Sequence, residues 1–307
     1  MAFLSVLLVL MIEQARAVPV NNVVFRAVRH SVELAENLFH AGQDKQYGSM
    51  AWFMVVGLWT FSCALLWLAL REFALPLAGL FSLALLYLTI SFRQFSLVFT
   101  NMQLALNQND VQRATEIFVV WRRQTAADFE LNSPVTSQRL VRMAIEYALV
   151  CAYRQVFAVL FWFAVLPGPV GVVLYRVSEL VVRFWERKSN RLGTDFSWAA
   201  QQMLYWMDYV PCRLAALSYA AAGNFEEATL LWRAERNLNK DVTETHLISA
   251  GMGALGLRGT QPLGKAALSG EADYSSQRLA AATKLIWRSL ALWMGLLFLL
   301  TVLDPFR

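Results

Sequence analysis

Apolar residues fall along this chain in long uncharged blocks. Met50 to Leu70 is twenty-one residues without a charge, and Phe73 to Phe92 is twenty more, with Arg71 and Glu72 between them. A helix rises about 1.5 Å per residue, so each block is long enough to cross a hydrocarbon core of about 30 Å. So short a separation predicts an antiparallel helical hairpin. From residue 101 the pattern turns amphipathic. Asp110 is placed to cap a helix running through Arg123, with Val111, Ala114, Phe118 and Trp121 on its apolar face. Asn132, Ser133 and Pro134 interrupt the chain, and a long helix is expected from Val135 to Leu166, fully apolar from Val156. Pro167-Gly168-Pro169 must end it.

A further apolar stretch, Val170 to Trp185, is interrupted by Arg176 and Glu179. Either Val156 to Tyr175 is one span, or the Pro-Gly-Pro turn is the tip of a second hairpin. Basic residues in short flanking loops stay on the cytoplasmic side. Arg71 is the only Lys or Arg at either tip, whereas residues 93–153 carry six and 187–284 carry eleven. The second hairpin is therefore expected. Trp198 to Ala222 contains Tyr205, Trp206, Asp208, Tyr209, Pro211 and Arg213, and reads as a helix lying against the bundle at the membrane interface. Asn224 is placed to cap an amphipathic helix through Arg236, and Ser289 to Leu303 forms a last span, with Arg288 near its inner end.

The expected fold is thus an all-α integral membrane protein, a helical bundle of about five spanning helices plus amphipathic cytoplasmic helices. Residues 1–307 form a single domain, with spans at about 50–70, 73–92, 145–166, 169–186 and 286–303 and cytoplasmic helical segments at 93–144 and 187–284. The N-terminal body lies inside and Arg307 outside. Met1 to Ile12 is apolar but covers only about 18 Å as a helix, and no positive charge precedes it as in a signal peptide. It is read as a partly inserted helix.

Composition sharpens this picture. The apolar set makes up 57% of the residues and charged residues only 16%, against about a quarter charged in soluble domains. The net charge of +5 is spread along helices that also carry Asp and Glu, unlike the dense basic stripe of a nucleic-acid binder. The expected partners are the lipid bilayer and a protein partner or small ligand of unknown identity, with no nucleic acid. Cys63, Cys151 and Cys212 lie in or beside apolar segments without metal-ligand spacing, and no metal site or cofactor is expected. His30, His40 and His246 are far apart in the sequence.

Candidate chemistry lies with the polar residues of the second hairpin and the interfacial helix. Arg154, Arg176 and Glu179 would cost several kcal/mol facing lipid, so they must face the bundle interior or a polar cleft. Asp208 and Arg213 face the same choice. A shallow cytoplasmic cleft lined by these five residues is expected between the second hairpin and the Trp198 to Ala222 helix. Gly251, Gly253, Gly256 and Gly259 suit either a phosphate cradle of backbone N–H groups or close helix packing.

The order of these features resembles the CobD/CbiB family of membrane proteins, which includes the β-lactamase-induction regulator AmpE. The resemblance runs from Leu7-Leu8-Val9-Leu10-Met11-Ile12-Glu13 through Asn109-Asp110-Val111-Gln112-Arg113-Ala114, Ala144-Ile145-Glu146, Leu160-Phe161-Trp162, Pro169 to Gly171 and Tyr175-Arg176. Asp208-Tyr209-Val210-Pro211-Cys212-Arg213-Leu214 is similar to the family's Pro-Ala-Arg signature, and Gly253-Ala254-Leu255-Gly256-Leu257-Arg258 to its glycine-rich stretch. The resemblance implies a multi-pass protein of the bacterial cytoplasmic (inner) membrane. Its enzyme branch joins adenosylcobyric acid to an aminopropanol phosphate through an ATP-dependent amide bond. This chain departs from that pattern. Arg-Asp-Thr becomes Arg123-Gln124-Thr125, and Glu-Asn and a following Asp become Val150, Cys151 and Arg154. Asn-Thr-Leu-Asp becomes Glu179-Leu180-Val181-Val182, paired acids become Leu204 and Tyr205, and an Asn becomes Asp208. Ser-Pro-Asn falls roughly at Asp241, Val242 and Thr243. Arg123, Arg176 and Arg213 are kept. The resemblance therefore implies a non-catalytic, AmpE-like sensing or signalling protein. The alternative is a divergent adenosylcobinamide-phosphate synthase, for which ATP and magnesium would be needed.

Overall fold

The computed structural model describes residues 2–15, 23–39, 45–90, 93–124, 129, 131, 135–187, 194–238, 243–257 and 275–303, and these residues form twelve helices and their turns with no strand among them. They are α1 (Ala2–Ala15), α2 (Val23–Phe39), α3 (Lys45–Phe73), α4 (Leu75–Thr89), α5 (Arg93–Asn107), α6 (Val111–Arg123), α7 (Ser137–Val165), α8 (Val170–Arg187), α9 (Thr194–Ala222), α10 (Phe225–Leu238), α11 (Thr243–Ala254) and α12 (Gln277–Leu303). The fold is that of an all-α membrane protein.

Three described helices are long and apolar enough to cross a membrane: α3 from Gln46, α7 and α12. Their surroundings differ. Of the most apolar window, 61% is buried in α7 but only 17% in α3, so α7 is the central post and α3 offers most of its surface to lipid. Helix α4, at fifteen residues, spans about 22 Å. Helix α8 runs eighteen residues and carries Arg176, Glu179, Arg183, Glu186 and Arg187. Gly259, Asp241, Val242, Thr125, Asn132 to Pro134 and Arg307 lie outside the described residues.

Local chemistry accounts for the breaks. Ala74, in extended conformation, separates α3 from α4, whose first turn holds Pro76, where its missing N–H costs nothing. Asn109 takes a left-handed φ of 58° to end α5, and the Asp110 side chain accepts a 2.9 Å hydrogen bond from the N–H of Arg113 at the start of α6. The side chain of Asn224 accepts from the N–H of Glu227 in the same way for α10. Between α7 and α8 the chain turns at Gly168, φ 62°, where a Cβ would lie 2.4 Å from the Trp67 ring.

Contacts set the direction of the bundle. A Cβ at Gly48, near the start of α3, would lie 2.1 Å from the carbonyl oxygen of Phe196 in α9. The Tyr219 hydroxyl of α9 donates to the Leu149 carbonyl of α7, and the Ser289 hydroxyl of α12 donates to the Ser218 carbonyl of α9. At the other end, Trp67 of α3 meets the α7–α8 turn. Helix α9 thus meets the start of α3 and the region just before the midpoints of α7 and α12. Helix α1 packs against α4 and α12, with Phe3 and Phe298 in edge contact at 5.2 Å.

Candidate functional site: a charged cavity beneath helix α9

A cavity of about 640 Å³ opens between α7, α8, α9 and the start of α11. Each helix contributes a stripe at helical spacing: Tyr147, Cys151, Arg154 and Gln155 from α7; Val182, Arg183 and Glu186 from α8; Gln201, Leu204, Tyr205 and Asp208 from α9. Thr243 and Glu244 close it from the first turn of α11, and Arg122 from the end of α6. Arg154 stands on a π-helical turn, Tyr153–Phe157, inserted in α7. Such single-turn insertions rotate side chains out of the regular helical register and recur at functional sites.

The charges in the wall are largely spoken for. Asp208 is buried, and its Oδ1 accepts hydrogen bonds from the hydroxyls of Tyr153 at 2.6 Å and Tyr175 at 2.9 Å. Burial pushes the Asp208 carboxyl up to about 6, against the downward pull of the Tyr153 hydrogen bond, the Arg154 charge and the Tyr175 hydrogen bond. Arg154 pairs with Glu244, while its own Nε–H is buried with no acceptor among the described residues. Glu179, wholly buried, lies between Arg176 at 3.1 Å and Arg183, one turn before and one turn after it on α8. Arg122 stacks on the Tyr147 ring at 4.2 Å. The Gln201 amide donates to Glu186 at 3.3 Å.

Two of the five residues expected to share a cleft, Arg154 and Asp208, line this cavity, and Glu179 sits directly behind its wall through Arg183. Arg176 is held there by Glu179 but does not reach the cavity surface. Arg213 lies elsewhere: it donates to the Tyr209 carbonyl at 2.6 Å and covers the Tyr209 ring at 3.5 Å. Five residues after Asp208, it is rotated by about 140° around α9. Arg123 donates to the Phe129 carbonyl at 3.2 Å, and its neighbour Arg122 takes the cavity position, four residues after the buried Phe118 and so on the inward face. Arg183, Glu244, Gln155 and Gln201 were not singled out from the sequence. The first belongs to the 179, 182, 183, 186 stripe and the last to the 201, 204, 205, 208 stripe, which is the signal that points to them.

The glycines serve contacts between helices. A Cβ at Gly251 would lie 2.6 Å from Leu149, and one at Gly253 would lie 2.6 Å from the Ala228 Cα in α10. Gly256 takes a left-handed φ of 68° after the end of α11, where the N–H of Leu257 reaches the Met252 carbonyl at 3.1 Å. The N–H groups of Leu255, Gly256 and Leu257 all point to carbonyls of their own helix, which leaves this segment a packing role.

Residues 3–289 match the family described as CobD/Cbib protein. The chain belongs to the CobD/CbiB family. Among the curated proteins similar to this member, a cobalamin biosynthesis protein CobD of Stutzerimonas stutzeri is 30% identical over 225 residues, covering 69% of this chain and 70% of the relative. Another protein of the same name, from Chromobacterium violaceum, is 32% identical over 195 residues, 63% of this chain. The matched stretch spans 58% of that second relative's length. No solved structure matches the chain. Within the CobD/CbiB family, then, this member joins a helical membrane scaffold to a cavity walled by ion pairs and apolar side chains.

Proposed function

We propose that this CobD/CbiB-family protein of the bacterial inner membrane uses its cavity to bind a ligand and transmit its presence, in the manner of the AmpE branch, and does not form an amide bond. One observation carries the reading. Among the positions where the resemblance places the enzyme's acids and amides, Val150, Cys151, Arg154, Val182, Leu204, Tyr205 and Thr243 line the cavity without a carboxylate or amide, and Asp208 is the one that carries an acid there. An ATP-dependent ligation needs carboxylates to hold magnesium against phosphate. Asp208 is hydrogen-bonded by two phenols, Glu244 is paired with Arg154, Glu179 lies between two guanidinium groups, and Glu186 at the mouth accepts the Gln201 amide. No three His, Cys, Asp or Glu side chains among the described residues converge as a metal site. This donor set does not fit a magnesium–nucleotide.

The name of the two relatives, cobalamin biosynthesis protein CobD, favours a second reading, a divergent adenosylcobinamide-phosphate synthase. Complementation separates the two. The chain is expressed in a strain lacking its own synthase, on medium where growth depends on cobalamin made from cobyric acid, with an immunoblot of the membrane fraction. Absence of growth with the protein present in the membrane is the expected result. Growth would restore the enzyme reading.

A further inference from the structure

We propose that the cavity takes the phosphate head group of an anionic membrane lipid, admitted sideways from the bilayer surface, with Arg154 as its anion contact. The inference rests on the binding reading above and names its ligand class. Three observations converge on it.

The first is a guanidinium in the wall. Arg154 projects from the π turn and lines the cavity, one side of its guanidinium held by Glu244. The outer N–H groups that face the cavity can take an anion, in a planar geometry suited to phosphate.

The second is where the cavity opens. Its deep wall is buried, at Cys151, Val182, Leu204 and Asp208, whereas Glu186, Trp198 and Gln201 are exposed and mark the mouth. Trp198 follows two residues after Phe196, whose backbone abuts Gly48 at the polar start of the apolar helix α3. The mouth therefore sits where a spanning helix enters the membrane.

The third is the rim itself. Tyr205 of the cavity wall is in contact with Trp206 and Tyr209, and with Trp198 earlier on the same helix α9 carries exposed aromatic rings along the cavity's length. Trp and Tyr with one apolar and one wet end settle at the level of lipid head groups. A polar ligand arriving from water gains nothing from such a rim, whereas a lipid does: the rings cover its glycerol and first methylenes while the head group reaches Arg154.

The full-length protein, purified in a neutral detergent, would be offered phosphatidylglycerol, phosphatidylcholine or inorganic phosphate. Bound species would be counted by native mass spectrometry. Phosphatidylglycerol is expected to be retained at least fivefold over phosphatidylcholine. Arg154→Gln should weaken this about tenfold, and Trp198→Ala several-fold. Glu244→Gln, which removes the carboxylate competing for Arg154, should strengthen it. That opposite pair of responses is not what loss of folding produces, and Arg213→Gln should change nothing. Inorganic phosphate displacing the lipid or binding as tightly alone would overturn the lipid source. Equal retention of both lipids, or weakening by Glu244→Gln, would overturn the proposal as a whole. Neither failure touches the complementation result, so the non-catalytic reading stands or falls separately.

Discussion

At the residue scale the cavity is decided by how each charge is satisfied. Asp208 is the clearest case, because it is buried, doubly hydrogen-bonded by phenols and still protonates near pH 6. Its folded value lies above the value of about 3.9 expected in an unfolded chain. The folded state thus holds the proton more tightly between those limits. The stability this provides is complete below about pH 4 and is lost as pH rises through 6, by about 3 kcal/mol in all. The thermal midpoint in detergent should therefore fall over this window, and Asp208→Asn should remove that part of the slope. An unchanged slope in the variant would mean that another group titrates there. Tyr153→Phe takes away the shorter of the two hydrogen bonds to Asp208 and should move the window upward, since a hydrogen bond to the charged form is what holds the value down. A pH series on that variant reads the shift directly.

At the element scale the helices are set by their breaks and by the small residues where they cross. The Gly253 contact is backbone against backbone, because a Cβ there would meet the Ala228 Cα at 2.6 Å and the Glu227 carbonyl at 2.7 Å. Neither atom can swing aside as a flexible side chain would. Gly253→Ala should therefore destabilise the α10–α11 pair by about 1–3 kcal/mol. Gly57→Ala, in the middle of α3 with open space around it, should be neutral or slightly stabilising. Paired melting curves in one detergent test the contrast, and equal midpoints would remove the packing role argued for the glycine segment. Much at this scale was legible in the sequence. The Arg71-Glu72 break, the caps at Asp110 and Asn224 and the Pro167-Gly168-Pro169 turn each have a local cause, and each sits at or within a residue or two of the observed boundary. The π turn was not legible. Nothing in Tyr153-Arg154-Gln155-Val156-Phe157 announces a wider turn, which is stabilised by what packs around it. The choice of Arg122 over Arg123 was missed for a related reason: residues one apart differ by about 100° on a helix, and only the neighbours fix which one faces inward.

At the scale of the whole molecule the decisive feature is that α9 touches all three apolar helices, at the start of α3 and near the middle of α7 and α12. Three apolar helices running in parallel require return paths between them. The α3–α4 and α7–α8 hairpins provide these, although α4 is short and α8 is charged. The charged face of α8 is tolerable in such a return because Glu179, Arg176 and Arg183 neutralise one another within the bundle and present little of themselves to lipid. On the proposed inner-membrane reading, the basic residues of sequence segments 93–153 and 187–284 assign the α9 side of the bundle to the cytoplasm. A reporter fused after Leu303 should accordingly be active as a periplasmic alkaline phosphatase, while one inserted within residues 239–242, beside α10 and α11, should be active only as a cytoplasmic reporter. If both positions report the same side, α12 does not cross, and α9 cannot be the cytoplasmic floor on which the cavity opens. The lipid proposal would then lose its geometry, because the mouth beside Trp198 faces the cytoplasmic leaflet only in the arrangement where the two reporters disagree.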